Sequence, residues 1–241
     1  MFQPLFCLWL FLGGASAAGD PPCGGEWIEN ADVSWLTRDQ AGVTEAAIEV
    51  LEAARAREPE CFDLRWRLAR FYYWHASGTS SVRFAESGWQ EAQEAIRLAP
   101  DRVEGHYWAA ANVGTWAERL SVPAAFAMGM PDRFETPAKR AVALDSNHDG
   151  GGPARTLGIY YARLPWPFRD LDQAEAWLRQ ALAANPDGAA NLYYLAELED
   201  RKGDRTARDQ RLFRLERASG DDGPRTARYR RLGRVLSGAG S

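Results

Sequence analysis

The stretch Ala47-Ile48-Glu49-Val50-Leu51-Glu52-Ala53-Ala54-Arg55-Ala56-Arg57-Glu58-Pro59 decides the fold. Ala47, Leu51 and Ala54 fall on one face of a helix, and small residues there let a second helix approach closely. Pro59 then ends the helix, because proline lacks the amide hydrogen that the next turn needs. This is the spacing of the second helix of a tetratricopeptide repeat. It recurs at Gly88, Ala92, Ala95 and Pro100, and again at Ala174, Leu178, Ala181 and Pro186. A fourth copy, Ala138 and Ala141 before Leu144-Asp145-Ser146, has lost its proline.

After the stops, new helices open with the matching first-helix pattern: Leu68-Ala69 with Tyr72, Leu157-Gly158 with Tyr161, and Leu195-Ala196. Successive stops lie further apart than the roughly 34 residues of the standard repeat. The additions are readable as loops or irregular turns within hairpins: Ser77 to Ser81, Ser121 to Asp132 with Pro123 and Pro131, and Pro165-Trp166-Pro167. No segment alternates long enough to be a strand. The expected fold is an all-α superhelical array of antiparallel hairpins, a solenoid of about ten helices within a single domain over 39–236. The Arg-rich helix from Arg225 to Leu236 is expected to cap it, and 237–241 to be a disordered tail.

The N-terminus reads differently. Leu5 to Leu12 is an apolar run, closed by Ala15-Ser16-Ala17. That pattern is a signal peptide over 1–18, followed by an extended segment over 19–38. It departs from the usual form in having no Lys or Arg before the run. The run falls short of the roughly 20 apolar residues that cross a bilayer, so stable membrane insertion is not expected. Asp20-Pro21-Pro22 before Cys23 is unlike a lipoprotein signal. The expected location is the periplasm. Export leaves Cys23 and Cys61, which are expected to pair in an oxidising compartment, the alternative being a free thiol on the Gly/Pro-rich tail.

The 241 residues are 46% hydrophobic and 26% charged, enough for a substantial core. A net charge of −4 argues against nucleic acid as a partner. His75, His106 and His148 lie in no metal spacing, and neither a nucleophile elbow nor a phosphate loop is present. No enzyme, metal or cofactor is expected. Asp145-Ser146-Asn147-His148-Asp149-Gly150 resembles the opening of an EF-hand loop, but Thr156 stands where the bidentate Glu belongs, so a polar turn is expected instead of a calcium site.

Two features point to binding. Gly151-Gly152-Pro153 leads into a helix start beside Arg155, a place where backbone amides and a guanidinium suit a carboxylate, unless Arg155 simply reaches a neighbouring acid. Aromatics also gather on first helices, which line the concave surface of such arrays: Tyr72-Tyr73-Trp74, Tyr107-Trp108 with Trp116, Tyr160-Tyr161 and Tyr193-Tyr194. Consecutive residues point about 100° apart, so one of each pair can be core while the other faces the groove.

The blocks His106 to Ala117 and Gly151 to Pro165, with Leu144-Asp145 just before the second, are similar to signatures of the T component of TRAP-associated transport systems. That resemblance, over roughly 40–220, implies a periplasmic helical protein that partners a substrate-binding protein, forms a ring-like homo-oligomer, and assists uptake of small hydrophobic or carboxylate ligands. The alternative is a general tetratricopeptide adaptor joining proteins of the cell envelope. The candidate ligand-binding residues are Tyr107, Trp108, Asn112, Trp116, Arg155, Tyr160, Tyr161 and Trp166. Trp108, on a helix rich in small residues, is also expected to be a packing residue.

The signal reading predicts that the mature chain starts within a residue of Ala18. Intact-mass measurement of the exported protein checks this, and retention of Met1 or a lipid on Cys23 would overturn it.

Overall fold

The computed structural model describes Cys23 and residues 25–238. The signal segment 1–18, the linker up to Pro22 and the last three residues of the expected tail lie outside the described residues.

Twelve helices follow one another in the described residues, and none is long and apolar enough to cross a membrane. They are α1 Gly25–Leu36, α2 Val43–Arg57, α3 Phe62–Thr79, α4 Val82–Leu98, α5 Val103–Ala117, α6 Val122–Ala127, α7 Met130–Leu144, α8 His148–Arg163, α9 Leu171–Ala184, α10 Ala189–Arg201, α11 Arg205–Leu215 and α12 Gly223–Leu236. The hairpins are α1/α2, α3/α4, α5/α7, α8/α9 and α10/α11, with α12 as an unpaired sixth first helix. Each first helix packs on the next, from α1 to α3, α5, α8, α10 and finally α12, so they form a continuous inner layer.

Two expectations are corrected. Residues 25–36, read as extended, form α1, the first helix of an additional hairpin; its Ala31 and Trp35 are buried. The repeat signature missed it because α1 carries its own aromatic pattern, with Trp35 packed edge-on against Phe71 at 5.4 Å. The 121–132 insertion is also not all loop: it holds the short α6, capped by Ser121, and the start of α7.

The spaced Ala, Gly and Leu positions of the signature are all buried: Ala47, Leu51, Ala54, Gly88, Ala92, Ala95, Ala138, Ala141, Ala174, Leu178 and Ala181. Gly88 shows why size matters, since a Cβ there would lie 2.1 Å from Oδ1 of Asn112. The second helices end alike. The amides of Glu58, Ala99, Asp145 and Asn185 donate to the carbonyls of Ala54, Ala95, Ala141 and Ala181, and each of the four residues then turns out of helical geometry. Three precede a proline, which disfavours the helical region for them. Asp145 does so without one, its carboxylate accepting from the Asn147 amide at 2.9 Å in a side-chain turn.

Cys23 and Cys61 are bonded, with Cα atoms 5.5 Å apart, and tie the start of α1 to the start of α3. Among the described residues the one grouping of metal-type ligands is Cys23, Glu58 and Cys61, whose thiols are spent on that bond.

Trp108 sits at the centre of the first core, 6.1 Å from Trp35 and 5.6 Å from Tyr73, ring to ring. Its indole nitrogen is buried without a hydrogen-bond partner among the described residues. Trp108→Ala is therefore expected to cost about 3–5 kcal/mol, and Trp108→Phe much less because no hydrogen bond is lost. Chemical denaturation of both variants measures the difference; an unchanged midpoint for Trp108→Ala would contradict this placement.

Candidate functional site

The turn between α7 and α8 builds a polar node. Asp149, Gly150 and Gly151 all take left-handed backbone conformations, with φ of 52°, 62° and 82°. At Gly151 any side chain would also meet the Ala181 backbone, which a Cβ would approach to 2.7 Å. This reversal turns the half-buried Asp149 inward. Its carboxylate accepts from Arg225 of α12 at 2.8 and 3.0 Å, from Arg155 at 3.1 Å and from the Tyr107 hydroxyl at 2.6 Å. Arg155 donates on to Oδ1 of Asn191 at 2.9 Å, and Asn191 donates to the carbonyls of Gly150, Ala181 and Asn185.

Burial alone would push the Asp149 carboxyl up, but Arg225, Arg155 and the Tyr107 hydroxyl outweigh it and hold the group well below the usual carboxylate range. Both of its oxygens are thereby committed to arginines, which leaves the EF-hand-like stretch without one of the carboxylates that a calcium ion would need.

A second link closes the array. Arg38, between α1 and α2, is 2% exposed. It donates to the Trp35 carbonyl at 2.5 Å and to Asp222 at 2.7 Å, and stacks between the Trp35 and Trp74 rings. Asp222 is also the N-cap of α12, accepting from the Arg225 amide at 2.9 Å. So α12, expected as an outer cap, joins the last hairpin to the first through Arg38, and to the middle one through Asp149.

This closure borders a half-open cavity of about 560 Å³. Its walls come from the inner helices: Tyr73 of α3, Gly114 and Thr115 of α5, Ile159, Tyr160 and Tyr161 of α8, Tyr193 and Tyr194 of α10, and Arg228 and Leu232 of α12. The α6–α7 insertion adds Val122, Phe126, Met130 and Phe134, and the α8–α9 loop adds Phe168. Phe134 stacks on Tyr160 at 4.1 Å, and Phe126 meets Phe168 at 5.1 Å. Glu135 accepts from the Tyr160 and Tyr161 hydroxyls at 3.2 and 3.4 Å and pairs with Lys139. Burial, helped by Glu197, pushes the Tyr193 phenol up to about 12, so it remains a hydrogen-bond donor at neutral pH.

The candidate ligand residues divide accordingly. Tyr160 and Tyr161 line the cavity. Tyr107 and Arg155 do not: both are buried in the node, and Arg155 is the structural tie that its alternative reading described. Trp108 is core. Asn112 is fully buried, donating to the Ala69 and Trp108 carbonyls, and Trp116 packs against Trp89 at 6.0 Å. Trp166 is 87% exposed and stands outside the lining. Helical spacing separates Tyr72, which is core, from Tyr73, which faces the cavity; at Tyr193-Tyr194 both residues reach it. Missed altogether were Met130, Phe134 and Phe168, which lie in stretches read as loop or carrying no aromatic run.

Asp149→Asn would leave the buried Arg155 guanidinium without its counter-ion and Arg225 with only Asp221, 3.7 Å away, and is expected to cost about 3–5 kcal/mol at neutral pH. Because the folded protein holds this carboxyl below its usual value of about 3.9, its contribution is present above that pH and is lost as pH falls further. Melting curves of the wild type and Asp149→Asn between pH 7 and pH 3 should therefore converge toward the acid end; a constant gap would contradict the ion-pair account.

The matching family is described as Regulator of microtubule dynamics protein 1-3, and the match covers residues 27–149. No curated protein matches the chain significantly. Among solved structures, a thermophilic TPR protein of Thermus thermophilus superposes with a TM-score of 0.66 at 18% identity, over 88% of this chain and 98% of that one. The MamA protein matches with a TM-score of 0.45 at 14% identity, over 80% of this chain and 87% of that one. The first of these carries the tetratricopeptide fold across nearly the whole array. The family match runs from α1 through the node at Asp149, which is just over half of the 241 residues, and the chain belongs to the regulator of microtubule dynamics protein 1-3 family.

Proposed function

We propose that this protein is a non-catalytic adaptor that binds an apolar segment of a protein partner in the cavity on its concave side. The observation that carries the reading is the lining: the inner helices α3, α5, α8, α10 and α12 turn aromatic or aliphatic side chains into one space. Its volume of about 560 Å³ lies in the range of pockets that bury a small ligand or a short piece of chain. A family described by the regulation of a protein polymer also fits a binding role better than a catalytic one.

The uptake role is the narrower form of this reading. It makes a periplasmic substrate-binding protein the partner and a ring the assembly, and it rests on the two sequence blocks at 106–117 and 151–165. Export by a cleaved signal is part of the proposal too. The Cys23–Cys61 bond supports it, since such bonds persist in oxidising compartments.

A photo-crosslinking residue at Ile159, inside the cavity, should capture a protein partner in the native cell, and one at the exposed Gln180 of α9 should not. Ile159→Glu should reduce partner recovery by about tenfold or more, because a carboxylate is costly to desolvate against apolar atoms. Capture from Gln180 alone, or recovery untouched by Ile159→Glu, would overturn the reading.

A further inference from the structure

The cavity wall supplied by α12 carries a charge that no carboxylate among the described residues answers. Of the arginines on the lining, Arg119 is exposed to solvent and Arg163 pairs with Glu118 and Glu197. Arg228 is half-buried, and among the described residues no carboxylate reaches it. Its one hydrogen bond goes from Nη1 to the Ser77 hydroxyl at 3.1 Å. Its guanidinium lies 5.1 Å from the Trp74 ring centre and 6.0 Å from that of Tyr229. A guanidinium offers five N–H donors, so several remain for a ligand. A cation partly withdrawn from water beside apolar walls is costly until an anion meets it.

We infer that Arg228 receives the free C-terminal carboxylate of an apolar peptide, whose last side chains fill the cavity against Met130, Phe134 and Ile159. The inference rests on the adaptor reading of the same cavity and names its partner: a protein that ends in an apolar tail. A carboxylate is the planar anion that the guanidinium fork binds through two parallel hydrogen bonds. The limited volume suits a chain end better than a chain passing through. The lining also carries the hydroxyls of Thr156 and Tyr193, which can serve the peptide's amide groups. A plain acyl chain would cover those groups and leave them unsatisfied, a cost that a peptide avoids.

The test uses the full exported chain, immobilised, and a library of acetylated hexapeptides ending in two apolar residues, made as free acids and as C-terminal amides. Retained peptides are identified by mass and their affinities measured by calorimetry. Free acids should bind about ten- to a hundredfold more tightly than their amides, the range of one charged hydrogen bond. Arg228→Gln should abolish that preference and Arg228→Lys keep part of it. The acid–amide comparison in the wild type stands even if a variant folds poorly. Equal retention of acids and amides would overturn the carboxylate inference while leaving the adaptor reading in place. If neither form is retained, both fail. Binding of decanoate in an Arg228-dependent manner, with no peptide retained, would assign the site to acyl carboxylates and overturn both readings.

Discussion

Asp149 is the residue on which the closed form of the array depends. An open solenoid has contacts between neighbours alone, so its first and last hairpins are independent. Here a single carboxylate on the α7–α8 turn holds Arg155 of its own hairpin and Arg225 of the last helix, while Asp222, at the start of that helix, holds Arg38 between the first two. The N-terminal, middle and C-terminal parts are thereby joined through polar atoms. Such a network tolerates no missing member, because each buried charge is compensated by the others. The left-handed conformation of Asp149, uncommon for a residue with a side chain, is held by these same partners.

Closure has a consequence for the concave face. Without α12 the inner helices would border an open groove; with it they border a cavity whose aromatic walls come from well-separated parts of the chain. The side chains divide cleanly between the two tasks. Tyr107 and Arg155 serve the node, and Tyr73, Tyr160, Tyr161, Tyr193 and Tyr194 serve the cavity. The two sequence blocks at 106–117 and 151–165 fall on the inner helices α5 and α8, which meet at the node through Tyr107 and Arg155. What those blocks encode most directly is therefore the joint between hairpins, a structural requirement that proteins of different function can share.

The second helices were legible in the sequence because a local rule governs them. Close packing demands a small residue at fixed positions, and Ala54, Ala95, Ala141 and Ala181 each also receive the amide that ends the helix. The loss of a proline at Ser146 changed nothing, since the Asp145 side chain supplies the turn. Helix α1 was not legible, because its register is set by aromatic contacts with Phe71, Trp74 and Trp108, residues that lie 36 or more positions away.

From the sequence by itself came the all-helical array, the positions of its stops and the concentration of aromatics on inner helices, each a consequence of spacing along a single helix. Tertiary structure alone decided what those residues face. Arg155 looked like an anion site at a helix start, and became a tie because Asp149 lies beside it and Asn191 arrives from another hairpin. Arg228 looked like one arginine of a solvated cap, and became a cavity residue because Asp222 and Arg225 pull its helix inward. Spacing specifies which residues share a helical face. Which face meets a cavity, a partner charge or water depends on contacts between residues far apart in the chain, and those exist only once the array has closed.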